Sequence, residues 1–367
     1  MSRRRLLASV VLGLSVVVGA PHASAQQTHL LVVTGLGGDP EFTEQFHTWA
    51  TTLIEAATSR YEIPADQVSY LGEDPELAPD LISARSTREN IESAVQTLGE
   101  RAGPDDHVVI VLFGHGSFTD VARINLPRRD LSADDFARLL DAFAEQQVTF
   151  VNTASASGPF IEKLSGSGRT VMTATKTGLE RNASVFGGFF VAAFADGEGE
   201  ADQNKDRRVS MLEAFTYARA KAVQSYEAEG LLTTEHALLD DNGDGEGTDE
   251  PDPLGAESAD GMVARTMFFS NGVGRRADMA FPDDPELQAL YQERATLVAR
   301  VDELRRVRGG VAPQEYEREL ETLMVDLALK SREIRQLEAA KGASKSESQG
   351  QDQNQDQGQD QGQDEVR

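Results

Sequence analysis

Between Thr28 and about Gly230, short apolar runs alternate with segments of helical period, and few folds accept that alternation. Strands are expected at 29–34, 66–71, 107–113, 148–153 and 170–175. Helices are expected at 41–58, 87–101, 133–145, 158–165, 184–195 and 210–228, with Ser132 and Asp135 spaced to cap the third. The continuous runs in 107–113 and 148–152 suit central strands buried on both faces. Parallel strands cannot be joined by a two-residue turn, which makes the intervening helices crossovers. The expectation is an α/β domain, a mostly parallel sheet with helices on both faces.

Composition narrows the chemistry. The 367 residues include no cysteine, which excludes disulfides, thiolate metal sites and a thiol nucleophile. Against 35 basic residues stand 61 acidic ones, a formal charge of −26. Such a surface repels nucleic acid and anionic membranes, so neither is expected as a partner. It suits cations or a well-solvated exported surface.

The ends differ from the body. Arg3, Arg4 and Arg5, the 15-residue uncharged stretch Leu6 to Ala20 and the small residues Ala23-Ser24-Ala25 read as a signal peptide over 1–25. The apolar stretch falls short of the roughly 20 residues that span a bilayer, so no membrane span is expected after its removal. The protein is expected to be exported, to a periplasm or the exterior. The α/β domain then occupies 26–235 and an acidic linker 236–284. Over 285–340, Leu287, Leu290, Leu297, Val301 and Leu304, then Leu320, Leu323, Leu327, Ile334 and Leu337 repeat at helical spacing around the breakers Gly309, Gly310 and Pro313. This predicts a helical hairpin, packed on itself or forming a coiled coil that joins two copies. Residues 341–367, rich in Gln, Asp, Ser and Gly, are too polar to bury a core and are expected to be a disordered tail.

Sites in open parallel sheets lie beyond the carboxyl ends of the strands. Gly35-Leu36-Gly37-Gly38 follows the first strand, lacks the spacing of a dinucleotide motif and reads as a tight turn. Gly114-His115-Gly116 follows the third. An imidazole between glycines is uncrowded by its neighbours and can act as acid or base near neutral pH, although a plain turn carries the same residues. Thr153-Ala154-Ser155-Ala156-Ser157-Gly158 follows the fourth strand, bringing the Ser155 hydroxyl toward His115. Backbone N–H groups around Gly116, Ala156 and Gly158 could stabilise an oxyanion. Asp120, Asp130 and Asn152 are candidates to steer the histidine. The Gly-x-Ser-x-Gly elbow of α/β-hydrolases is absent.

These two motifs, His115-Gly116 and, 40 residues on, Ser155 within Thr153–Gly158, resemble the caspase-like peptidases, including the legumain branch. There a strand ends in His-Gly and its neighbour in Asp-Ala-Cys-x-Ser-Gly. The resemblance spans about Thr28 to Tyr226 and implies a histidine–cysteine dyad at the ends of adjacent strands. Here Thr153 replaces the aspartate and Ser155 the cysteine. A hydroxyl is far less acidic than a thiol and needs a well-oriented base. The resemblance therefore implies either a non-catalytic relative that binds peptide or protein segments, or a serine-dependent peptidase or amidase using Ser155 and His115. It also implies that the loops after the third and fifth strands set specificity; these carry Arg123, Arg128, Arg129, Lys176, Glu180 and Arg181, of which Arg129 and Lys176 are the substrate-binding candidates.

Two acidic stretches suggest calcium. Asp202, Asn204, Asp206, Arg208 through its carbonyl, Ser210 and Glu213 hold the ligand positions of an EF-hand-type loop, with Arg207 where glycine is usual. Asp240, Asn242 and Asp244 repeat the first half of that pattern, with Pro251 where the closing glutamate belongs. A calcium-dependent assembly or adhesion module is the third reading.

Overall fold

The computed structural model describes residues 26–196, 199–204, 208–253, 259–269, 285–306 and 312–356. The signal peptide, Asp206 and the last residues of the tail lie outside them. β1 (Thr28–Thr34) leads into α1 (Pro40–Glu55), β2 (Val68–Gly72), the two-residue β3 (Ala84–Arg85) and α2 (Arg88–Arg101). β4 (His107–Phe113) is followed by the short strands β5 (Gly116–Phe118), β6 (Ala122–Ile124) and β7 (Leu131–Ser132), then α3 (Ala133–Leu140). Next come β8 (Gln147–Asn152), α4 (Phe160–Leu164), β9 (Arg169–Thr173), α5 (Phe186–Asp196), α6 (Met211–Ala228) and β10 (Leu238–Asp240). α7 (Pro285–Arg306) and α8 (Pro313–Asp356) end the described chain.

The main sheet has the order β10-β9-β8-β4-β1-β2-β3. Its pairings are parallel, with Leu30 beside Val109 and Ile110 beside Phe150, except that β10 runs antiparallel to β9. Alternate side chains of each central strand enter different cores. Leu30, Val32, Val109, Val111 and Phe113 pack beneath α1, α5 and α6; Leu31, Val33, Val108, Ile110 and Leu112 pack beneath α2, α3 and α4. Each such fully buried aliphatic side chain contributes about 1.5–3 kcal/mol, which is why the uninterrupted apolar runs occupy the middle of the sheet. This is the expected fold class, a mostly parallel α/β sheet covered on both faces, and it is consistent with a caspase-like arrangement.

The helix starts follow from local chemistry. Asp39 accepts a hydrogen bond from the Glu41 N–H ahead of Pro40, and Ser132 with Asp135 forms the expected capping box. α3 stops at Leu140, short of the expected residue 145. There the N–H groups of Asp141, Ala142 and Phe143 each bond three residues back, tightening the chain into turns.

α7 and α8 form the predicted hairpin. Val301, Leu304 and Leu323 are buried between the two helices, and Lys330 of α8 pairs with Glu293 of α7 at 2.6 Å. The pairings run in opposite chain directions, so the helices are antiparallel. α8 continues to Asp356, past the boundary at which composition places a disordered tail. No helix among the described residues is long and apolar enough to cross a membrane.

Candidate functional site

The carboxyl ends of β1, β4 and β8 meet in one backbone crossing. Gly35 N–H donates to Phe113 O at 2.8 Å, Leu36 N–H to Asn125 O at 2.9 Å, and Asn125 N–H to His115 O at 2.9 Å. The hairpin of β5 and β6 is thereby tied to the turn after β1. The glycines beside His115 serve this close approach rather than an uncrowded imidazole. A Cβ at Gly116 would overlap the carbonyl oxygen of Ser155, and one at Gly114 would press on Gly35.

The His115 ring is itself packed. It meets Phe42 and Phe46 of α1 edge-on, with ring centroids 4.5 and 5.2 Å apart. Burial lowers its pKa, and a hydrogen bond to the backbone of Gly37 opposes that shift. None of the side chains proposed to steer it does so. Asp120 is exposed and pairs with Arg123 at 3.1 Å; bonds from Thr119, Arg123 and its own loop hold its carboxyl down at about 2. Asp130 accepts from Leu126 N–H, and Asn152 accepts from Ala154 N–H.

Ser155 is only 3% exposed. Its Oγ accepts from Gly116 N–H at 3.2 Å and donates to Gly116 O at 3.2 Å. No hydrogen bond joins Ser155 to His115 among the described residues. The next residue, Ala156, has φ of 55°, a left-handed conformation uncommon for alanine. Its N–H donates to Glu180 O at 2.8 Å, while Gly158 N–H donates to Thr175 Oγ1 at 3.0 Å. The three backbone donors expected around an oxyanion are thus all engaged within the protein.

At the rim, Arg129 and Lys176 are exposed. Lys176 contributes its backbone, which closes on Gly158, and its N–H donates to Glu180 Oε2 at 3.0 Å. Glu180, marked by the sequence only as one charge of a specificity loop, is a hub of the site. Besides Lys176 and Ala156 it holds His236, at 3.0 Å through N–H and 3.1 Å through Nδ1. Its partners lie in three separate loops, so no local pattern showed what it holds.

The acidic stretches are organised around backbone N–H groups. Glu213 Oε1 accepts from Gln203 and Asn204 N–H, and Oε2 accepts from Ser210 N–H and Oγ, completing a capping box for α6. These bonds make Glu213 the capping residue of α6. Asp202 is buried in the same loop. Asp240 accepts from Gly243 and Gly245 N–H, and Asn242 bonds Asp244. No group of three or more acidic or histidine side chains among the described residues is arranged to hold a metal ion.

Asp260, 20 residues away from the run, completes it. Its Oδ1 accepts from Asp241 N–H at 3.0 Å and Asn242 N–H at 3.4 Å. Burial, with Asp240 and Asp241 nearby, pushes its carboxyl from 3.8 up to about 6 against the pull of those two N–H groups. A carboxyl raised on folding adds stability that is full below about pH 4 and is lost as pH rises through about 6. Asp260→Asn keeps the acceptor oxygen and removes the charge. It is expected to raise the melting temperature at pH 7.5 by a few degrees and to change little at pH 4. A variant that melts lower at pH 7.5 would contradict this assignment.

No family model and no curated protein matches the chain. Among solved structures, the crystal structure of protein GSU0716 from Geobacter sulfurreducens is similar over 67% of this chain and 99% of that one, with 11% sequence identity and a TM-score of 0.41.

Proposed function

We propose that the chain is an exported caspase-like module that binds peptide segments at the His115–Ser155 mouth and does not cleave them. The observation that carries this reading is the Ser155 hydroxyl, buried and bonded in both directions to the Gly116 peptide at 3.2 Å. A nucleophilic serine needs its proton directed at a base, and this hydroxyl directs it at a carbonyl. The committed N–H groups of Gly116, Ala156 and Gly158 support the same conclusion, because an oxyanion needs donors that are free to meet it.

One observation favours the serine peptidase or amidase instead. Burial lowers the His115 pKa, which favours the neutral ring that a general base needs. A fluorophosphonate probe and a peptide library applied to the mature protein separate the two. Peptide binding without cleavage or labelling supports the proposal. Labelling lost in both Ser155→Ala and His115→Ala overturns it.

A further inference from the structure

The three most exposed large apolar side chains among the described residues are Leu232, Leu179 and Leu231, at 87%, 73% and 56%. A single exposed leucine is ordinary on a protein surface, but these three stand on two loops that hydrogen bonds join. Glu180, after β9, holds His236 through Nδ1 at 3.1 Å and through its N–H at 3.0 Å. Asn182 Nδ2 donates to Thr234 Oγ1 at 3.0 Å, and Glu235 accepts from the N–H groups of Val185 and Phe186 at 2.8 and 3.0 Å. The β5–β6 hairpin adjoins the same place. The Phe118 ring fills the space that a Cβ at Gly178 would need, and Phe118 O accepts from Arg181 at 3.2 Å. The joined loops reach the mouth directly, because Ala156 N–H donates to Glu180 O at 2.8 Å. Leu179, Leu231 and Leu232 are therefore carried outward on tied loops at its rim.

We propose that this rim is a docking surface for the peptide segment bound at the mouth, which lays aliphatic or aromatic side chains over Leu179, Leu231 and Leu232 and sets a carboxylate against Lys176 or Arg181. The occupant follows from the chemistry of the rim. Large apolar side chains turned to water carry a cost that apolar side chains of a partner relieve. Lys176 and Arg181, both exposed and on either side of Leu179, form no ion pair with a carboxylate among the described residues. The chain as a whole carries a formal charge of −26. Two cations left without carboxylates in so acidic a protein complement an acidic flank and not a basic one. Loops already tied together lose little freedom on binding, which favours affinity. This docking deepens the peptide-binding reading of the His115–Ser155 mouth and rests on it.

The probe is a displayed library of random peptides panned on the full mature protein, with melting temperature and light scattering recorded for each variant. Wild type is expected to retain peptides enriched in Leu, Ile, Phe or Trp, with Asp or Glu a few positions away. A synthetic copy of a retained peptide should bind the triple variant Leu179→Ser, Leu231→Ser, Leu232→Ser about tenfold more weakly or worse, the effect of one buried leucine lost. Its melting temperature should hold, since these side chains lie outside the core. Leu232→Ser alone, at the most exposed position, should weaken binding severalfold. Reversing the cations with Lys176→Glu and Arg181→Glu should exchange the acidic preference for a basic one. Enrichment without apolar residues, equal binding to wild type and the triple variant, or an acidic preference that survives the reversal overturns the proposal and leaves the peptide-binding reading standing. Retention of no peptide overturns both. A wild-type dimer that the triple variant turns into a monomer assigns the rim to a second copy and also overturns the proposal.

Discussion

Asp241→Ala is expected to lower the stability of the α/β body by about 3–5 kcal/mol, more than any loss of surface charge could explain. Asp241 is 6% exposed, and its carboxylate gathers three backbone donors, Gly261 N–H at 2.8 Å, Val263 N–H at 2.9 Å and Ala264 N–H at 2.7 Å. Truncation strips all three of their acceptor, and an unsatisfied buried donor costs about 1–3 kcal/mol. The bonds also draw residues 261–264 against the end of β10, so the loss spreads into the segment that packs on α6. Calorimetry should show the melting temperature falling by roughly 10 °C or more. Asp241→Asn, which keeps one acceptor oxygen, should lose less. A fall of only a degree or two in Asp241→Ala would mean that the acidic run is an ordinary solvated loop.

Gly116→Ala is the second large effect, expected at about 3 kcal/mol from overpacking against backbone that cannot turn aside. The added methyl group would overlap the Ser155 carbonyl and lie 3.1 Å from Arg123 O. Gly116 also opens β5 opposite Ile124, so relief by moving the strand would break that pair. Gly38→Ala is the comparison. Gly38 has nothing within 4 Å of an added Cβ and carries only the conformational cost of its φ of 73°, roughly 1 kcal/mol. Denaturant unfolding of the two variants measures the difference. Equal losses would show that the loops bearing His115 and Ser155 do not cross at this distance.

Much of this architecture was legible because it rests on local periodicity. The continuous runs in 107–113 and 148–152 suited central strands, and β4 and β8 stand there, His107–Phe113 and Gln147–Asn152. The two- and three-residue strands β3, β5, β6, β7 and β10 left no pattern, because their pairing partners and not their own residues make them strands. The site divides in the same way. His115 and Ser155 were visible from their places at strand ends. What Ser155 bonds to was not, since it depends on Gly116, 39 residues away, approaching within hydrogen-bond distance. Asp240, Asn242 and Asp244 matched half a calcium loop because a carboxylate that collects backbone N–H groups and one that ligates a cation use the same short spacing. Asp240 does collect the N–H groups of Gly243 and Gly245, and Asp260 those of Asp241 and Asn242. The role of Glu180 was hidden for the plainest reason: it bonds backbone groups of other segments.

The central claim is that the Ser155 hydroxyl is a structural group, and intact-mass analysis of the mature protein after exposure to a fluorophosphonate tests it most directly. The predicted result is an unmodified mass at neutral pH, with or without added calcium, under conditions that fully label a known serine hydrolase. A stoichiometric adduct on Ser155, absent from Ser155→Ala and His115→Ala, would contradict it.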